Sequence, residues 1–207
     1  SMARPVLKFP RSGANVFKLS NSLAVELRRS PEVAIRASGS KAPFLVLQAC
    51  ALADHELRRV TGFLPAFGHL ALLLERLDVA DGTLHASAAR LLDVPAAGDP
   101  PIVVHGRRST AEEIGDMISR ALSKDSPENV VALRFIGEAA AAQALLAMRL
   151  ARLHLESAAG RQQQLAMAPA MGVSLSSTTL NKAELSVSVF RASAHWRPAP
   201  LLPSPAP

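Results

Sequence analysis

Aromatic residues are scarce in this sequence. It has no tyrosine, one tryptophan and seven phenylalanines, which together make up 4% of its 207 residues. Proteins that stack single-stranded bases on aromatic rings need several such side chains, so we do not expect a stacking platform. Hydrophobic residues nevertheless make up 49% of the chain. The cores must therefore be built mainly of alanine, leucine and valine.

The residues that usually carry catalysis or bind metals are also missing from the sequence as organised groups. The single cysteine, Cys50, excludes an intrachain disulfide, and mid-helix burial explains it better than a nucleophilic role. Six histidines are scattered without metal-ligand spacing, so we expect no metal and no other cofactor. Glycine-rich nucleotide loops and the Gly-x-Ser-x-Gly motif are absent. We predict no catalytic residues and a protein that is not an enzyme.

Long apolar runs are absent as well. No run reaches the roughly 18 residues that a membrane span requires, because charged residues interrupt each candidate. We therefore expect no membrane partner. The opening Ser1-Met2 is typical of a cleavage scar, so a native targeting peptide can have been removed. The compartment stays open; we expect an intracellular protein, cytoplasmic or organellar (mitochondrial).

Positive charge is in excess. The chain has 23 lysines and arginines against 17 aspartates and glutamates, a net charge of +6, and a pI of about 10.4. Residues 1–96 contain 12 basic against 8 acidic residues, and residues 97–207 contain 11 against 9. The excess is thus shared by both halves. It favours a polyanionic partner such as nucleic acid, although many basic proteins bind none.

Two segments of the sequence are nearly the same. Residues 33–53 read VAIRASGSKAPFLVLQACALA, and residues 131–151 read VALRFIGEAAAAQALLAMRLA. At one constant offset, nine residues of the first segment meet an identical residue in the second. They are Val33, Ala34, Arg36, Gly39, Ala42, Leu47, Ala49, Leu52 and Ala53.

A second match follows each segment in the same order, with Pro-Ala-Phe at 65–67 and Pro-Ala-Met at 169–171. Two matches in one order at nearly equal offsets are hard to obtain by chance. We interpret the chain as a tandem duplication of one domain of roughly 95–100 residues.

The second copy predicts a β-α-β-α-β-β order. Valine-rich runs indicate buried strands, and Ser109 and Thr110 are each followed three residues later by a glutamate, a capping-box pattern. Gly160 is typical of a helix end. The predicted elements are strand 101–106, helix 110–124, strand 130–137, helix 138–160 and strands 163–176 and 183–193.

The first copy predicts the same order from weaker patterns. Its elements are strand 5–9, helix 17–29, strand 32–38, helix 42–59 and strands 60–67 and 83–91. We interpret the segment between the last two strands, GHLALLLERLDVADG (68–82), as a hairpin arm. It is more apolar than its counterpart, and its burial would indicate a protein interface.

We therefore predict an α/β (α+β) protein of two tandem β-α-β-α-β-β two-layer sandwiches, each with a four-stranded sheet. Domain 1–93 and domain 101–195 are joined by linker 94–100, and the proline-rich segment 196–207 is an extended tail outside both cores. The helix at 138–160 is apolar on more of its circumference than one sheet covers. We expect the domains to pack as an internal pseudo-dimer, and a further oligomer stays open.

The repeated order, in which a strand ends in glycine and leads into an alanine-rich helix, resembles the Alba superfamily, most closely its bacterial stage V sporulation protein S branch. In the second copy, GRRSTAEEIGDMISRAL and VALRFIGEAAAAQALLAMRLAR carry the likeness, and the two Pro-Ala motifs resemble the Pro-Ala-Phe of the third strand. The resemblance covers residues 5–93 and 101–193. It implies a dimeric fold that binds DNA or RNA.

Proteins of this family contact nucleic acid with basic residues in the loop after the first strand and in the hairpin arm. Arg36 and Arg134 precede the matched glycines, at strand ends that a phosphate can approach. The alternatives are a solvated pair for Arg107 and Arg108 and a structural role for the strand-end arginines. The candidate nucleic-acid-binding residues are Arg11, Lys18, Arg36, Lys41, Arg107, Arg108, Arg134 and Lys182.

The sequence departs from the family in two ways. Archaeal Alba proteins typically have a Lys-Pro step in the first loop, and neither copy has one. Glu75, Asp78 and Asp81 in the arm of the first copy would repel phosphate, which favours protein contact there. We expect a non-catalytic binder of the phosphate backbone of nucleic acid with low sequence specificity; RNA is favoured, and DNA stays open as the ligand. The alternative is an assembly subunit of a larger ribonucleoprotein or protein complex.

Overall fold

The computed structural model describes residues 4–10, 15–60, 68–78, 80–96, 100–123, 129–160, 162–171 and 184–201. Within them the chain forms eight strands and five helices. The first half contains β1 (Val6–Phe9), α1 (Val16–Arg29), β2 (Glu32–Ala37), α2 (Ala42–Val60), β3 (His69–Asp78) and β4 (Thr83–Leu91). The second half contains β5 (Ile102–Val104), α3 (Ala111–Ser123), β6 (Val130–Ile136), α4 (Glu138–Ala159), β7 (Leu165–Met171), β8 (Glu184–Arg191) and the one-turn α5 (Ala192–His195).

The helices begin and end at residues that supply the missing backbone partners. The Asn15 side chain accepts hydrogen bonds from two N–H groups in the first turn of α1. The predicted capping box is confirmed for α3, where the Glu113 N–H donates to Thr110 Oγ1 at 3.2 Å and the Thr110 N–H donates to Glu113 Oε2 at 3.4 Å. Gly160 ends α4 in the left-handed conformation, as its position predicted.

All eight strands belong to one mixed sheet, in the order β1-β2-β4-β3-β7-β8-β6-β5. Each half contributes four adjacent strands, as predicted, but the two four-stranded sheets join edge to edge into one, which the sequence did not predict. β3 and β7 pair antiparallel, with Leu72 opposite Met167 and Leu73 opposite Ala166. This pairing satisfies N–H and C=O groups that would otherwise line two exposed edges at the middle of the molecule.

The strand order is the same from either end of the sheet. Counting inward from its outer edge, each half contributes its first, second, fourth and third strand. The first two strands of each half are parallel, and the other pairs are antiparallel. The predicted class is thus confirmed at the level of a mixed α+β architecture.

The main hydrophobic core lies between the sheet and helices α1 to α4. It is one continuous cluster that contains residues of both halves. Alternate strand residues such as Ile35, Leu72 and Leu133 are buried in it, which is the pattern of strands with one face against helices. The halves therefore share a core, as the apolar circumference of α4 predicted.

A second, smaller core covers part of the opposite face of the sheet. Phe190, Leu91 and small residues of the central strands form it, and Trp196 packs against it. The Trp196 indole N–H donates to a carboxylate oxygen of Glu32 in β2 at 2.9 Å. Ala199 is buried, and its N–H donates to the carbonyl of Arg90 in β4. The prediction of a tail outside both cores is therefore wrong for residues 196–200, which cross to the first half.

The third strand of the first half is not where the sequence predicted it. α2 continues to Val60, residues 61–67 lie outside the described part of the chain, and β3 begins at His69. The segment interpreted as an arm is thus β3 with its turn. Leu70 and Leu72 are buried in the main core, because β3 lies at the centre of the sheet. Its burial joins the two halves and does not indicate an external partner.

The proline match was also misleading. Pro169 lies inside β7, opposite Val187, whereas Pro65 lies before β3 and outside the described residues. Arg36 and Arg134 occupy equivalent positions in the two halves, so their neighbours Ile35 and Leu133 are equivalent too. Across the strands, Ile35 leads through Ala86 to Leu74, and Leu133 leads through Val187 to Pro169. Leu74 is therefore the residue of the first half that corresponds to Pro169. The two Pro-Ala motifs therefore do not occupy equivalent positions.

The glycine match holds in the structure. Gly39 and Gly137 each lie between the second strand and second helix of their half, with φ of 103° and 83°. This is the left-handed region of φ, which residues with a Cβ rarely adopt. Both halves thus turn from strand to helix at a matched glycine.

Candidate nucleic-acid interface

The loop after β5 carries the two arginines that sequence analysis predicted. Ser109 closes this loop, because its N–H donates to the His105 carbonyl at 3.0 Å and its Oγ accepts the His105 N–H at 2.9 Å. Gly106 packs tightly against α4: a Cβ at this position would lie 2.6 Å from the Ala139 Cβ. The exposed Arg107 and Arg108 therefore project from a short loop that is held at both sides.

The loop leads directly into α3, whose N-terminal end carries a partial positive charge. Neither Arg107 nor Arg108 forms an ion pair with a described residue. Two glutamates in the first turn of α3, Glu112 and Glu113, offset part of the positive charge. An anion at this position would meet two free guanidinium groups beside a helix N-terminus.

Lys41 lies at the same end of α4 as this loop. Its Nζ is 3.6 Å from Glu138 Oε1, so the start of α2 lies next to the start of α4. Gly106 packs on the residues that follow Glu138. The structure thus brings Lys41 of the first half close to the Arg107 and Arg108 loop of the second, a proximity that the sequence did not predict.

Arg36 and Arg134 both lie on the sheet face opposite the helices. Their neighbours Ile35 and Leu133 are buried in the main core, and strand side chains alternate between the two faces. Arg36 Nη1 contacts Glu75 Oε2 at 3.1 Å, and Arg134 Nε is 3.7 Å from Glu184 Oε1. We call this surface the open face.

A row of basic residues crosses the open face in the first half. The strand register places Lys8 beside Arg36, Arg36 beside His85, and His85 beside Arg76. Burial and the nearby charges of Arg36 and Arg76 lower the pKa of His85 below its usual value. His85 is therefore neutral at neutral pH, and the row carries its charge on one lysine and two arginines.

Glu75 lies beside this row and neutralises part of it. Arg4, Arg36 and Ser87 all donate hydrogen bonds to its carboxylate. Although burial opposes ionisation, these hydrogen bonds lower the pKa of Glu75. Glu75 thus lies in a central strand and not in an arm, and two arginines compensate its charge.

The remaining candidates are dispersed. Lys18 is exposed in the first turn of α1, on the helix side of the sheet. Arg11 and Lys182 lie outside the described residues. Cys50 is fully buried, and burial raises the pKa of its thiol, which agrees with a packing role.

A second matched pair of arginines was not predicted from the sequence. In the first half Arg90 Nε donates to the Leu27 carbonyl at 3.3 Å, and in the second half Arg191 Nη2 donates to the Leu122 carbonyl. Arg90 is the second-last residue of β4 and Arg191 the last residue of β8, and each carbonyl belongs to the last turn of the first helix of its half. A cation at this end of a helix stabilises the helix dipole. The local sequences around Arg90 and Arg191 differ too much to reveal the correspondence.

The described part of the chain has no group of three or more histidine, cysteine, aspartate or glutamate residues arranged to hold a metal ion. Among the described helices, none is both long and apolar enough to cross a membrane. No family model, curated protein or solved structure gives a significant match to the chain.

Proposed function

We propose that this protein is a non-catalytic nucleic-acid-binding protein made of two Alba-like domains, closest to the stage V sporulation protein S type, at residues 1–93 and 101–195. The repeated element order, the palindromic strand order and the matched Gly39 and Gly137 support a tandem duplication. Arg90 and Arg191 support it as well, because each donates a hydrogen bond to a carbonyl in the last turn of the first helix of its half. A single chain would then supply both halves of a dimer.

The ligand that we propose is RNA, bound through its phosphates with low sequence specificity. One observation carries this proposal: Arg107 and Arg108 are exposed beside a helix N-terminus and form no ion pair with a described carboxylate, although Glu112 and Glu113 offset part of the charge. Arg36, Lys41 and Arg134 are each near a carboxylate, so they attract phosphate less strongly. The basic row of the open face extends the positive surface.

Salt-dependent binding tests this function. Fluorescence anisotropy with single-stranded RNA and duplex DNA should give an affinity that falls steeply with salt and depends weakly on sequence. Replacement of Arg107 and Arg108 with alanine should weaken all sequences about equally and lower the salt slope by up to roughly two units.

A double replacement of Arg28 and Arg29 is the matched control, because these adjacent arginines lie at the C-terminal end of α1. It removes the same charge from a helix end that repels anions. Equal losses in the two variants would argue against a site at the Arg107 and Arg108 loop. No binding to RNA or DNA at low salt, where phosphate contacts are strongest, would refute the nucleic-acid function.

The second candidate function is an assembly subunit of a larger complex. The observation that favours it is an exposed apolar stripe on α1, where Phe17 and Val25 are 51% and 41% exposed. These residues lie two turns apart on the helix side of the molecule. Charged substitutions of both should abolish co-purification of a partner without changing RNA affinity; unaltered co-purification would contradict this function.

A further inference from the structure

A cavity of about 270 Å³ lies at the junction of the two halves, between the C-terminal part of β3 and the middle of α4. It is large enough for a group the size of phosphate together with some of its water. Three arginines line it: Arg76 from β3 and Arg149 and Arg152 from α4. None of the three is among the residues that sequence analysis predicted.

The cavity exists because the two halves differ at two matched helix positions. The sequence repeat pairs Ala51 of α2 with Arg149 of α4, and Asp54 with Arg152. Ala51 is small and fully buried, and α2 packs closely on β7. Asp54 accepts the Leu70 N–H at 2.7 Å and so covers the start of β3. In α4 two long cationic side chains replace these close contacts.

Neighbouring residues orient the two arginines of α4 but do not accept hydrogen bonds from all of their N–H groups. Arg149 Nη1 donates to the Leu77 carbonyl at 3.1 Å, which fixes the side chain against β3. Arg152 Nε lies 3.5 Å from Glu156 Oε1, which is an ion-pair distance, but this buried N–H forms no hydrogen bond with a described residue. A buried N–H without an acceptor is unfavourable by an amount comparable to a lost hydrogen bond. An oxyanion in the cavity would supply the acceptor.

The charges around the cavity favour an anion. Its lining has two carboxylates, Glu75 and Asp78, against three arginines. Glu75 is already bound by Arg4 and Arg36 on the open face, and Asp78 is 3.5 Å from Arg76. Glu156 compensates part of the charge of Arg152, whereas Arg149 forms no ion pair with a described residue, so its guanidinium group retains the most attraction for an oxyanion.

We propose that this cavity is a phosphate-binding site formed by Arg149 and Arg152 of α4 at the junction of the halves, with Arg76, whose side chain lies on the open face, at its rim. The site is separate from the Arg107 and Arg108 loop and stands without it. The bound group is either a phosphodiester of RNA, which deepens the proposed function, or the phosphate of a small ester. Both present the same tetrahedral oxyanion to the guanidinium donors.

The test is calorimetric titration of the full chain with inorganic phosphate and with adenosine monophosphate at low ionic strength. We expect saturable binding that the double variant Arg149→Gln, Arg152→Gln weakens by about tenfold or more, because each charge-assisted contact is lost. Arg120→Gln is the control: Arg120 is exposed on α3, near Asp116, and does not line the cavity. Urea unfolding of each variant verifies that it folds.

A parallel titration with single-stranded RNA identifies the source of the phosphate. If the double variant also binds RNA more weakly than Arg120→Gln does, the site holds a phosphodiester. If RNA affinity is unchanged while phosphate and nucleotide binding are lost, it holds a free phosphate ester. Phosphate binding without any RNA binding would refute the proposed function and leave this site intact. Absence of saturable phosphate binding, or an equal loss in Arg120→Gln, would overturn the site.

Discussion

The two halves of the molecule have the same element order but differ in the charge of matched positions. Helix α2 carries Asp54 and Arg58 as an i,i+4 ion pair, and α4 carries Arg152 and Glu156 at the corresponding positions. The order of the acidic and basic residues is reversed between the two helices, but each helix still has two opposite charges four residues apart that attract each other. The side chain that faces the sheet, however, changes from a carboxylate to a guanidinium. In the first half, α2 therefore packs directly on the start of β3 through Asp54, whereas in the second half a cavity lined by arginines remains beside α4.

The open face shows a second difference of the same kind. Strand pairing matches the row of Lys8, Arg36, His85 and Arg76 in the first half with Val103, Arg134, Ser186 and Ala170 in the second. Only the arginine on the second strand is common to both. A shared backbone therefore carries a strongly basic surface in one half and a nearly neutral one in the other.

The largest difference in stability should come from the matched arginines at the ends of β4 and β8. Arg90 is buried, and its replacement with methionine leaves the carbonyls of Leu27 and Pro200 without this donor. We expect Arg90→Met to lower the free energy of unfolding by about 3 kcal/mol, and the half-buried Arg191→Met by about 1 kcal/mol. Urea denaturation measures both. Equal losses would mean that the halves use these arginines alike.

The helix positions that distinguish the cavity should give the next largest effect. Asp54→Ala leaves the Leu70 N–H without its acceptor, so we expect a loss of about 2 kcal/mol. Arg152→Ala removes a buried donor without a hydrogen bond and a half-buried ion pair, and should change stability by less than about 1 kcal/mol. Asp54→Asn retains an acceptor and serves as the control. The Leu70 amide should exchange its hydrogen faster in Asp54→Ala but not in Asp54→Asn, which would show that the lost stability comes from this hydrogen bond.

The contact between the starts of α2 and α4 should contribute little. Lys41 and Glu138 are both well exposed, and exposed ion pairs stabilise by a fraction of a kcal/mol. A double-mutant cycle of Lys41→Ala and Glu138→Ala should give a coupling energy of about 0.5 kcal/mol or less. A coupling above about 1 kcal/mol would show that the halves depend on this pair more than its exposure predicts.

The smallest effect should be the pH dependence due to His85. Its pKa is lowered in the folded state, so its neutral form stabilises the fold above the unfolded pKa of about 6.5, and this stabilisation is lost as the pH falls through the folded value. Asp54, whose pKa is raised by burial, acts in the opposite direction. His85→Ser introduces the residue found at the matched position 186.

The comparison is the urea midpoint at pH 7.5 and at pH 5 for the wild type and His85→Ser. The variant should lose less stability on acidification than the wild type, since it lacks the group that resists protonation. An identical decrease in both proteins would contradict the role of His85. The Asp54 contribution is common to both and cancels in the difference.

Much of the helical structure could be predicted from local sequence. α1, α2, α3 and α4 lie within one residue of the predicted bounds, and the Thr110 and Glu113 capping box forms as expected. Helical periodicity and capping depend on residues only three or four positions apart. The same holds for Gly39 and Gly137, because the turn from strand to helix is local.

The candidate site was predicted less completely than the fold. The exposed loop with Arg107 and Arg108 could be inferred from its position between a strand and a helix start. The basic row could not, because Lys8, His85 and Arg76 come from three distant strands that only the register brings together. Arg149 and Arg152 of the cavity likewise meet the end of β3, more than 70 residues earlier in the chain, only through packing.

The sequence by itself determined the two-copy element order, the helices with their caps, and the glycines between strand and helix, since each depends on neighbours in the chain. Only the tertiary structure decided that His69–Asp78 is a central strand, that the eight strands form one sheet, and that the segment after Trp196 returns to the first half. An alternating leucine run suits an arm or a strand equally well. The sequence does not show which strand pairs with this run or which surface buries it. Both depend on strand edges far away in the chain, whose backbone N–H and C=O groups require hydrogen-bond partners.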